Sequence, residues 1–313
     1  MTQPTHLIGV DIGGTNLRVA LANADGEIIA RVSATTTNVR DAESVVQKIV
    51  EGAQQLLRET QVPPERVAAI GVGAPGLTNA DTGVVIATSY LMGWQNVPLK
   101  AMLEDHLGVP ASVDNDVNLA ALGESCFGAG RGFRDFVFIA LGTGVGAGII
   151  LKGELFQGAA WTAGEIGYML VPGVSEEPAA LGKPGGLERL VGGEGLRAEW
   201  QSEWSIEKTK QSRELTATQI FDAAVAGDAL ANVLLNGAAR ALAYTISNIT
   251  VILNAPLFVL GGSVGLHAAL RERAQTVVDQ YARRLRPKLV LSELGSDAQL
   301  MGAIRLAQIA ARN

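Results

Sequence analysis

Apolar residues change their spacing along the first half of the chain from that of strands to that of helices. Three short apolar runs come first, at residues 7–10, 17–22 and 28–33. The glycine-containing turns between them predict an antiparallel meander. Between residues 41 and 60 the apolar positions recur at helical spacing, and Pro63 then forbids a longer helix. The pattern continues as strand, helix, strand and helix at residues 67–72, 99–107, 111–113 and 117–127.

The same order of elements recurs in the second half, so the pattern predicts an internally duplicated chain. Its strands and helices are predicted at residues 136–141, 146–151, 154–157, 216–252, 257–260, 267–285, 289–291 and 297–310. Residues 172–210 fit no regular element and are interpreted as loop-rich. We expect an N-terminal lobe of residues 1–116 and 297–313, and a C-terminal lobe of residues 117–296 with an insertion at about residues 160–210.

Composition narrows the possible functions. The chain has 313 residues, which is room for two domains, and a formal net charge of −6. No basic surface is available to neutralise nucleic acid phosphates or an anionic bilayer, so neither is an expected partner. The sequence has no signal-peptide pattern and no apolar run of membrane-spanning length, and we expect a cytoplasmic protein.

The first glycine turn places a carboxylate, two glycines and two polar side chains after a strand: Asp11, Gly13, Gly14, Thr15 and Asn16. These groups suit a phosphate-binding loop. The alternative is a plain hairpin turn in which the glycines supply positive φ.

A second turn, Gly142, Thr143 and Gly144, occupies the matching place in the second half, followed by two more glycines at alternate positions. Glycine weakens strands, so close approach of backbone to a ligand explains them better. Neither turn has the lysine of the common nucleotide-binding loop or the spacing of the dinucleotide fingerprint.

Polar residues follow the predicted strand at 111–113. Asn115 and Asp116 combine an amide with a carboxylate able to orient and deprotonate an alcohol, although simple helix capping explains them equally well. Glu165 and Glu188 lie in glycine-flanked segments and could hold neighbouring hydroxyls of a sugar, or be solvated surface charges. Gly261 and Gly262 end a predicted strand. They could contact the adenine and ribose of a nucleotide, or they could form an ordinary turn between a strand and a helix.

Taken together these motifs resemble the ROK family of repressors and sugar kinases, within the actin-like ATPase superfamily, and most of all its bacterial glucokinases. The resemblance rests on segments in family order: residues 11–16, 73–76, 93–94, 115–121, 141–148, 164–167 and 261–262. It implies two actin-like (ribonuclease H-like) α/β lobes, each a mixed sheet with flanking helices, and an active site in the cleft between them. It also implies a homodimer.

The resemblance further implies a role for each candidate residue. Asp116 would be the general base. Gly76, Asn115, Glu165, Tyr168 and Glu188 would bind the sugar. The two glycine turns and Gly261-Gly262 would bind ATP, and Asp11 would contact Mg²⁺ through water. The expected reaction is phosphoryl transfer from Mg-ATP to the 6-hydroxyl of a hexose, glucose first among the candidates.

This sequence departs from the family where the family binds structural zinc. Tyr168 replaces a histidine that follows Glu-Ile-Gly, and no cysteine precedes Glu188. We therefore expect no zinc and a loop held instead by apolar packing. The resemblance also implies that the histidine touches the sugar, so Tyr168 leaves the choice of hexose open. The apolar residues available are Met169, Leu170, Val171, Leu181, Leu187 and Leu190.

Other functions stay open. N-acetylmannosamine, fructose or allose could replace glucose. A sugar-sensing regulator without catalysis is a second class, although the first turn begins as early as Asp11 and leaves no room before it for a DNA-binding helix-turn-helix. A chaperone-type or actin-like ATPase is a third, and sugar-stimulated turnover of ATP would distinguish it.

Overall fold

The computed structural model describes residues 4–37, 39, 41–88, 91, 93–174, 183–281 and 285–312. They form two compact units. The first unit consists of residues 1–131, 155–163 and 297–313, and the second of residues 132–154 and 164–296. The boundary expected at residue 116 therefore differs from that of the units.

The strands are β1 (His6–Ile12), β2 (Asn16–Asn23), β3 (Ile28–Thr35), β4 (Val67–Ala74), β5 (Leu77–Asn79), β6 (Val84–Ala87), β7 (Gln95–Val97), β8 (Ala111–Asn115), β9 (Phe136–Leu141), β10 (Val145–Leu151), β11 (Glu154–Leu155), β12 (Leu257–Gly261) and β13 (Lys288–Leu291). The helices are α1 (Ala42–Thr60), α2 (Leu99–Leu107), α3 (Asp116–Phe127), α4 (Gly186–Val191), α5 (Gly193–Glu203), α6 (Ala217–Val225), α7 (Ala229–Leu253), α8 (Gly262–Gly265), α9 (Ala268–Tyr281) and α10 (Ala298–Ala310).

The sheet of the first unit has the order β3-β2-β1-β4-β8. The meander β1–β2–β3 is antiparallel, and β4 and β8 add in parallel. Helix α1 begins where the side chain of Asp41 accepts the amide of Ser44, and it buries an apolar face that includes Val46 and Ile49. This sheet carries the first glycine turn between β1 and β2.

Helix α10, although last in the chain, packs in the first unit against β1, β4 and α3. Its Leu300 and Ile304 are fully buried beside Leu7. The approach is close: a Cβ on Gly71 would lie 2.0 Å from the carbonyl oxygen of Ala303. Because α3 packs on α10, it belongs to the first unit and not to the C-terminal lobe where the sequence placed it.

The sheet of the second unit repeats the order of the first, as β11-β10-β9-β12-β13. Strands β9 and β10 are antiparallel, and β12 lies parallel to both β9 and β13. Its core includes Phe221, Phe258 and Trp200, all fully buried. The predicted duplication is confirmed, and the two glycine turns, β1–β2 and β9–β10, occupy equivalent places.

Two predictions of local structure were wrong, and one small sheet was missed. Residues 172–210 contain two helices, α4 and α5. The single helical region at 216–252 is two helices, because Gly227 has a φ of +97° and Asp228 caps α7. The small antiparallel sheet β5-β6-β7 was not predicted. No helix in the described part of the chain is long and apolar enough to cross a membrane.

Candidate active site

The turn between β1 and β2 is held by backbone and threonine hydrogen bonds. Gly13 donates its amide to Asn16 O at 2.8 Å. Thr36 donates its hydroxyl to Gly13 O at 2.9 Å and its amide to Thr15 O at 3.0 Å. Neither Gly13 nor Gly14 has a positive φ. The turn therefore does not use glycine for a left-handed backbone, although a Cβ on Gly13 would lie 3.0 Å from Asn16 O, so the turn itself leaves little room for a side chain there.

Asp11, just before this turn, is 8% exposed and paired with Arg18. Arg18 Nε and Nη2 both donate to Oδ2 of Asp11, at 2.9 and 2.7 Å. Burial raises the pKa of Asp11, while the charge and hydrogen bonds of Arg18 oppose that rise. Its second oxygen, Oδ1, is the one suited to accept a hydrogen bond from water on a metal ion. Asp11 thus fits an indirect role toward Mg²⁺, and among the described residues no cluster of three or more acidic, histidine or cysteine side chains could bind a metal directly.

Strand β8 and helix α3 meet at a chain of hydrogen bonds in the first unit. Asp114 is 2% exposed, and its Oδ1 accepts the amide of Asn115 at 2.7 Å and Nδ2 of Asn118 at 3.0 Å. Its Oδ2 accepts Nε2 of Gln157 at 2.6 Å. Burial raises the pKa of Asp114, and these three donors act in the opposite direction. Gln157 was missed as a member of this site, because no short sequence motif joins it to the junction, whereas Asn118 belongs to the polar segment that follows the predicted strand at 111–113.

Asn115 caps α3, as one alternative from the sequence proposed. Its Oδ1 accepts the amides of Val117 and Asn118, at 2.9 and 3.2 Å, and its Nδ2 donates to Gly76 O at 2.8 Å. These bonds use one of the two N–H groups of the Asn115 side-chain amide. Asp116 stands in the first turn of the helix, half-buried, with Oδ1 accepting the amide of Val117 at 2.9 Å. The structure therefore brings Gly76, Asn115 and Asp116 together.

The second glycine turn leaves open space in the second unit. Gly142 donates to Gly144 O at 3.0 Å and accepts a bond from Gly193 N at 2.8 Å. A Cβ built on Gly142 would have no atom within 4 Å, and its φ is not in the left-handed range. Neither backbone conformation nor protein packing requires glycine there, so a space that a methyl group would fill is available to a ligand.

Glu188 connects this turn to the loop that contains Glu165. Its Oε2 accepts the amide of Val145 at 2.8 Å, directly after the glycine turn. Burial first, and the charge of Glu188 second, raise the pKa of Glu165. Two carboxylates close enough to repel each other, beside a backbone turn, suit a ligand with several hydroxyl groups.

Tyr168 is 56% exposed, at the end of a single helical turn, Ile166–Tyr168. A Cβ on Gly185 would lie 2.2 Å from Gly167 O, so the segment before Glu188 contacts this turn backbone to backbone. We call residues 164–174 and 183–191, which include the residues that the resemblance implies for sugar binding, the sugar loop.

Packing of the sugar loop agrees with the prediction only in part. Val171 and Leu187 are buried, and Met169 and Leu190 pack against them. Leu170 is 80% exposed, so its predicted packing role was wrong. Leu181 lies outside the described residues. Ile166, Val174 and Val191, which the sequence did not single out, also contribute.

Gly261 and Gly262 lie at the end of β12. A Cβ on Gly261 would lie 2.3 Å from the ring of Phe138, and one on Gly262 2.4 Å from Leu141 O. Gly262 also has a φ of +78°. Packing and backbone conformation therefore account for both glycines, and their part in nucleotide binding stays a prediction.

Comparison with known proteins shows which family the chain belongs to. The family model described as ROK family matches residues 7–310. The chain belongs to the ROK family. A glucokinase of Halalkalibacterium halodurans is 32% identical over 309 residues, which cover 94% of this chain and 92% of the relative. An N-acetylmannosamine kinase of Escherichia coli is 31% identical over 301 residues, which cover 96% and 98%.

Solved ROK structures share the fold. The ROK hexokinase from Thermus thermophilus superposes with a TM-score of 0.83 at 28% identity, covering 98% of this chain and 99% of its own. A ROK family glucokinase from Streptomyces griseus, in complex with glucose and AMPPNP, gives a TM-score of 0.77 at 27% identity, with 97% and 99% covered. The expected fold class, two α/β units with mixed sheets and flanking helices, is confirmed.

Proposed function

We propose that this ROK sugar kinase transfers the γ-phosphate of ATP to the 6-hydroxyl of glucose. The observation that carries the proposal is the β8–α3 junction, where Asp116 follows an asparagine whose amide is fixed to Gly76 O. A carboxylate in the first turn of a helix, beside a fixed amide, suits an alcohol that must be both oriented and deprotonated. The similarity to kinases of glucose and N-acetylmannosamine supports the reaction class.

In this mechanism Asp116 accepts the proton of the 6-hydroxyl as the sugar oxygen forms its bond to the γ-phosphorus. The bond from that phosphorus to the bridging oxygen breaks, and ADP leaves with its electron pair. Asn115 orients the sugar with the Nδ2–H that its bond to Gly76 O does not use, and Glu165 and Glu188 accept hydrogen bonds from further hydroxyls. Positioning and charge stabilisation supply most of the rate enhancement.

The glycine turns supply the phosphate-binding part. Backbone amides of Gly14 and Thr15 in the first turn, and of Thr143 and Gly144 in the second, donate to phosphate oxygens, because the amides of Gly13 and Gly142 are bonded within their turns. Mg²⁺, when bound with ATP, neutralises charge on those oxygens. Asp11 would hold it through water with Oδ1, because Arg18 occupies Oδ2.

The choice of sugar depends on the sugar loop. Tyr168 is exposed and can offer a hydroxyl, which is longer in reach and less basic than an imidazole. N-acetylmannosamine is the second candidate, because an N-acetylmannosamine kinase is 31% identical to this chain, close to the 32% of a glucokinase.

A coupled assay of ADP formation over a panel of hexoses tests the function. Glucose, N-acetylmannosamine, fructose, allose and mannose are compared with a sugar-free control at saturating Mg-ATP. We expect glucose to give the highest kcat/KM. Turnover that no sugar stimulates would reject the kinase, and sugar binding without turnover would instead identify a regulator.

A further inference from the structure

A short loop of the first unit, residues 155–163, interrupts the sequence of the second unit. Ala163 N donates to Gln157 O at 3.2 Å and closes the loop. Trp161 has a φ of +56°, a left-handed backbone that side chains other than glycine rarely adopt. Such a conformation persists only where surrounding contacts hold it.

One side-chain hydrogen bond fastens this loop to β8. Gln157 Nε2 donates to Oδ2 of the buried Asp114. The other partners of that carboxylate, the amide of Asn115 and Nδ2 of Asn118, both belong to the β8–α3 junction and both bind Oδ1. Gln157 is therefore the donor that occupies the remaining oxygen. In the described part of the chain all partners of Asp114 are neutral amides, and no cation pairs with it.

We propose that Gln157 is a positioning residue for phosphoryl transfer, holding Asp114 and, through it, the turn that carries Asn115 and Asp116. The inference rests on the proposed function. Without the Gln157 amide, one oxygen of a buried carboxylate would lose its donor. Asp114 would then rotate or admit water, and the bond from Oδ1 to the Asn115 amide would be strained with it.

Two variants separate this role from general stability. In Gln157→Glu, two carboxyl groups face each other across the former hydrogen bond. At neutral pH they repel, and at lower pH a shared proton restores a bond. In the double variant Asp114→Asn with Gln157→Glu, the new Asn Oδ1 still accepts both junction donors, and its Nδ2 donates to the new carboxylate. The bond is thus rebuilt with donor and acceptor exchanged.

The experiment measures kcat and both KM values for the wild type, the two variants and the control Gln54→Glu from pH about 5.5 to about 8.5. Gln54 is exposed on α1 and carries the same change of side chain. For Gln157→Glu we expect kcat/KM for sugar to fall on the order of 10–100-fold above neutral pH, since small displacements of catalytic groups have such costs. Activity should recover as the pH falls, with KM for ATP unchanged. The double variant and the control should follow the wild-type profile.

Hydrogen exchange provides a readout that does not depend on activity. The amides of Val117 and Asn118, bonded to Oδ1 of Asn115, should exchange faster in Gln157→Glu at neutral pH and at the wild-type rate in the double variant. Wild-type kinetics and exchange in Gln157→Glu would overturn the inference. So would a loss that neither low pH nor the double variant repairs. A wild type without sugar-dependent turnover would instead reject the proposed function, and the exchange rates would still decide whether Gln157 holds the junction.

Discussion

Asp114 and Asp116 stand two positions apart yet have different surroundings. Asp114 is buried and bonded to three amide donors, whereas Asp116 is half-buried in the first turn of α3. Strand β8 ends at Asn115, between the two aspartates, and helix α3 begins at Asp116. Asp114 is thus held by the junction, whereas Asp116 is the aspartate that we propose as the general base.

Replacing Asp116 by asparagine should lower kcat by ~10²–10⁴-fold, because the variant keeps the shape and loses the base. Thermal stability and sugar affinity should stay near wild type. Steady-state kinetics at saturating sugar, with isothermal calorimetry for binding, check this. A variant that retains near wild-type kcat would exclude Asp116 as the base.

Glu165 should impose a pH dependence on sugar affinity. Its pKa is raised by burial and by Glu188, so lowering the pH protonates it earlier than an ordinary glutamate and removes an acceptor for sugar hydroxyls. KM for sugar should therefore rise as the pH falls. In Glu188→Gln the repelling charge is absent, the pKa of Glu165 falls, and the rise in KM should move to lower pH. A midpoint that does not move would contradict this electrostatic coupling.

At the scale of elements, substitutions at two glycines of the second unit should distinguish an effect on ligand binding from an effect on stability. Gly142→Ala places a methyl group in open space with an ordinary backbone, so we expect Tm to be unchanged and KM for ATP to rise. Gly262→Ala meets Leu141 O and a φ of +78°, whose left-handed backbone alone costs about 1–2 kcal/mol. It should lower Tm. Thermal denaturation and ATP kinetics of both variants test the contrast, and equal effects would refute it.

The sugar loop should keep its shape without zinc. The chain has one cysteine and three histidines, none of them between Tyr168 and Glu188, so four thiolate or imidazole ligands cannot assemble there. Metal analysis of the purified protein should find no stoichiometric zinc, and a zinc-selective chelator with Mg²⁺ in excess should leave activity intact. Stoichiometric zinc would disprove the prediction.

In place of zinc, we expect apolar packing and the close contact between the backbones of Gly185 and Gly167 to hold the sugar loop. Gly185→Ala introduces a methyl group 2.2 Å from Gly167 O and should raise KM for sugar several-fold by displacing Glu188. The control Gly237→Ala, in α7 with no atom within 4 Å of the added Cβ, should leave KM unchanged. An unchanged KM in both variants would mean that the loop tolerates the displacement.

The sequence predicted elements with a clear hydrophobic period better than elements that depend on tertiary contacts. The meander β1–β3 and helix α1 follow directly from alternation and helical spacing. Helices α4 and α5 were missed because glycines dominate their starts and only a few apolar positions, such as Leu196 and Trp200, face the core. In the candidate site, Asn115 and Asp116 could be proposed from their order along the chain, and the structure brings them together with Gly76. Gln157 was not, because its contact with Asp114 joins residues far apart in sequence.

At the scale of the molecule, the chain uses one topology twice. Each unit has a five-stranded sheet of the same order, and each places a glycine turn between its first two strands. The units differ in what surrounds the turn: Thr36 and an Asp11–Arg18 pair in the first, Glu188 and Gly193 in the second. Duplication thus supplies two equivalent glycine turns, and the two halves of the chain give these turns different neighbouring side chains.

The return of α10 to the first unit also has a consequence for how the protein is made. Translation delivers β1–β8 and α3 long before residues 298–310, whose Leu300 and Ile304 fill the core beside Leu7. Until that helix leaves the ribosome, Gly9, Gly71 and Gly123 line an apolar groove with no helix in it. The second unit, contiguous apart from the loop at residues 155–163, has all its elements earlier. We therefore expect the unit that is synthesised first to complete its folding last, and to depend on chaperones that cover this groove in the interval.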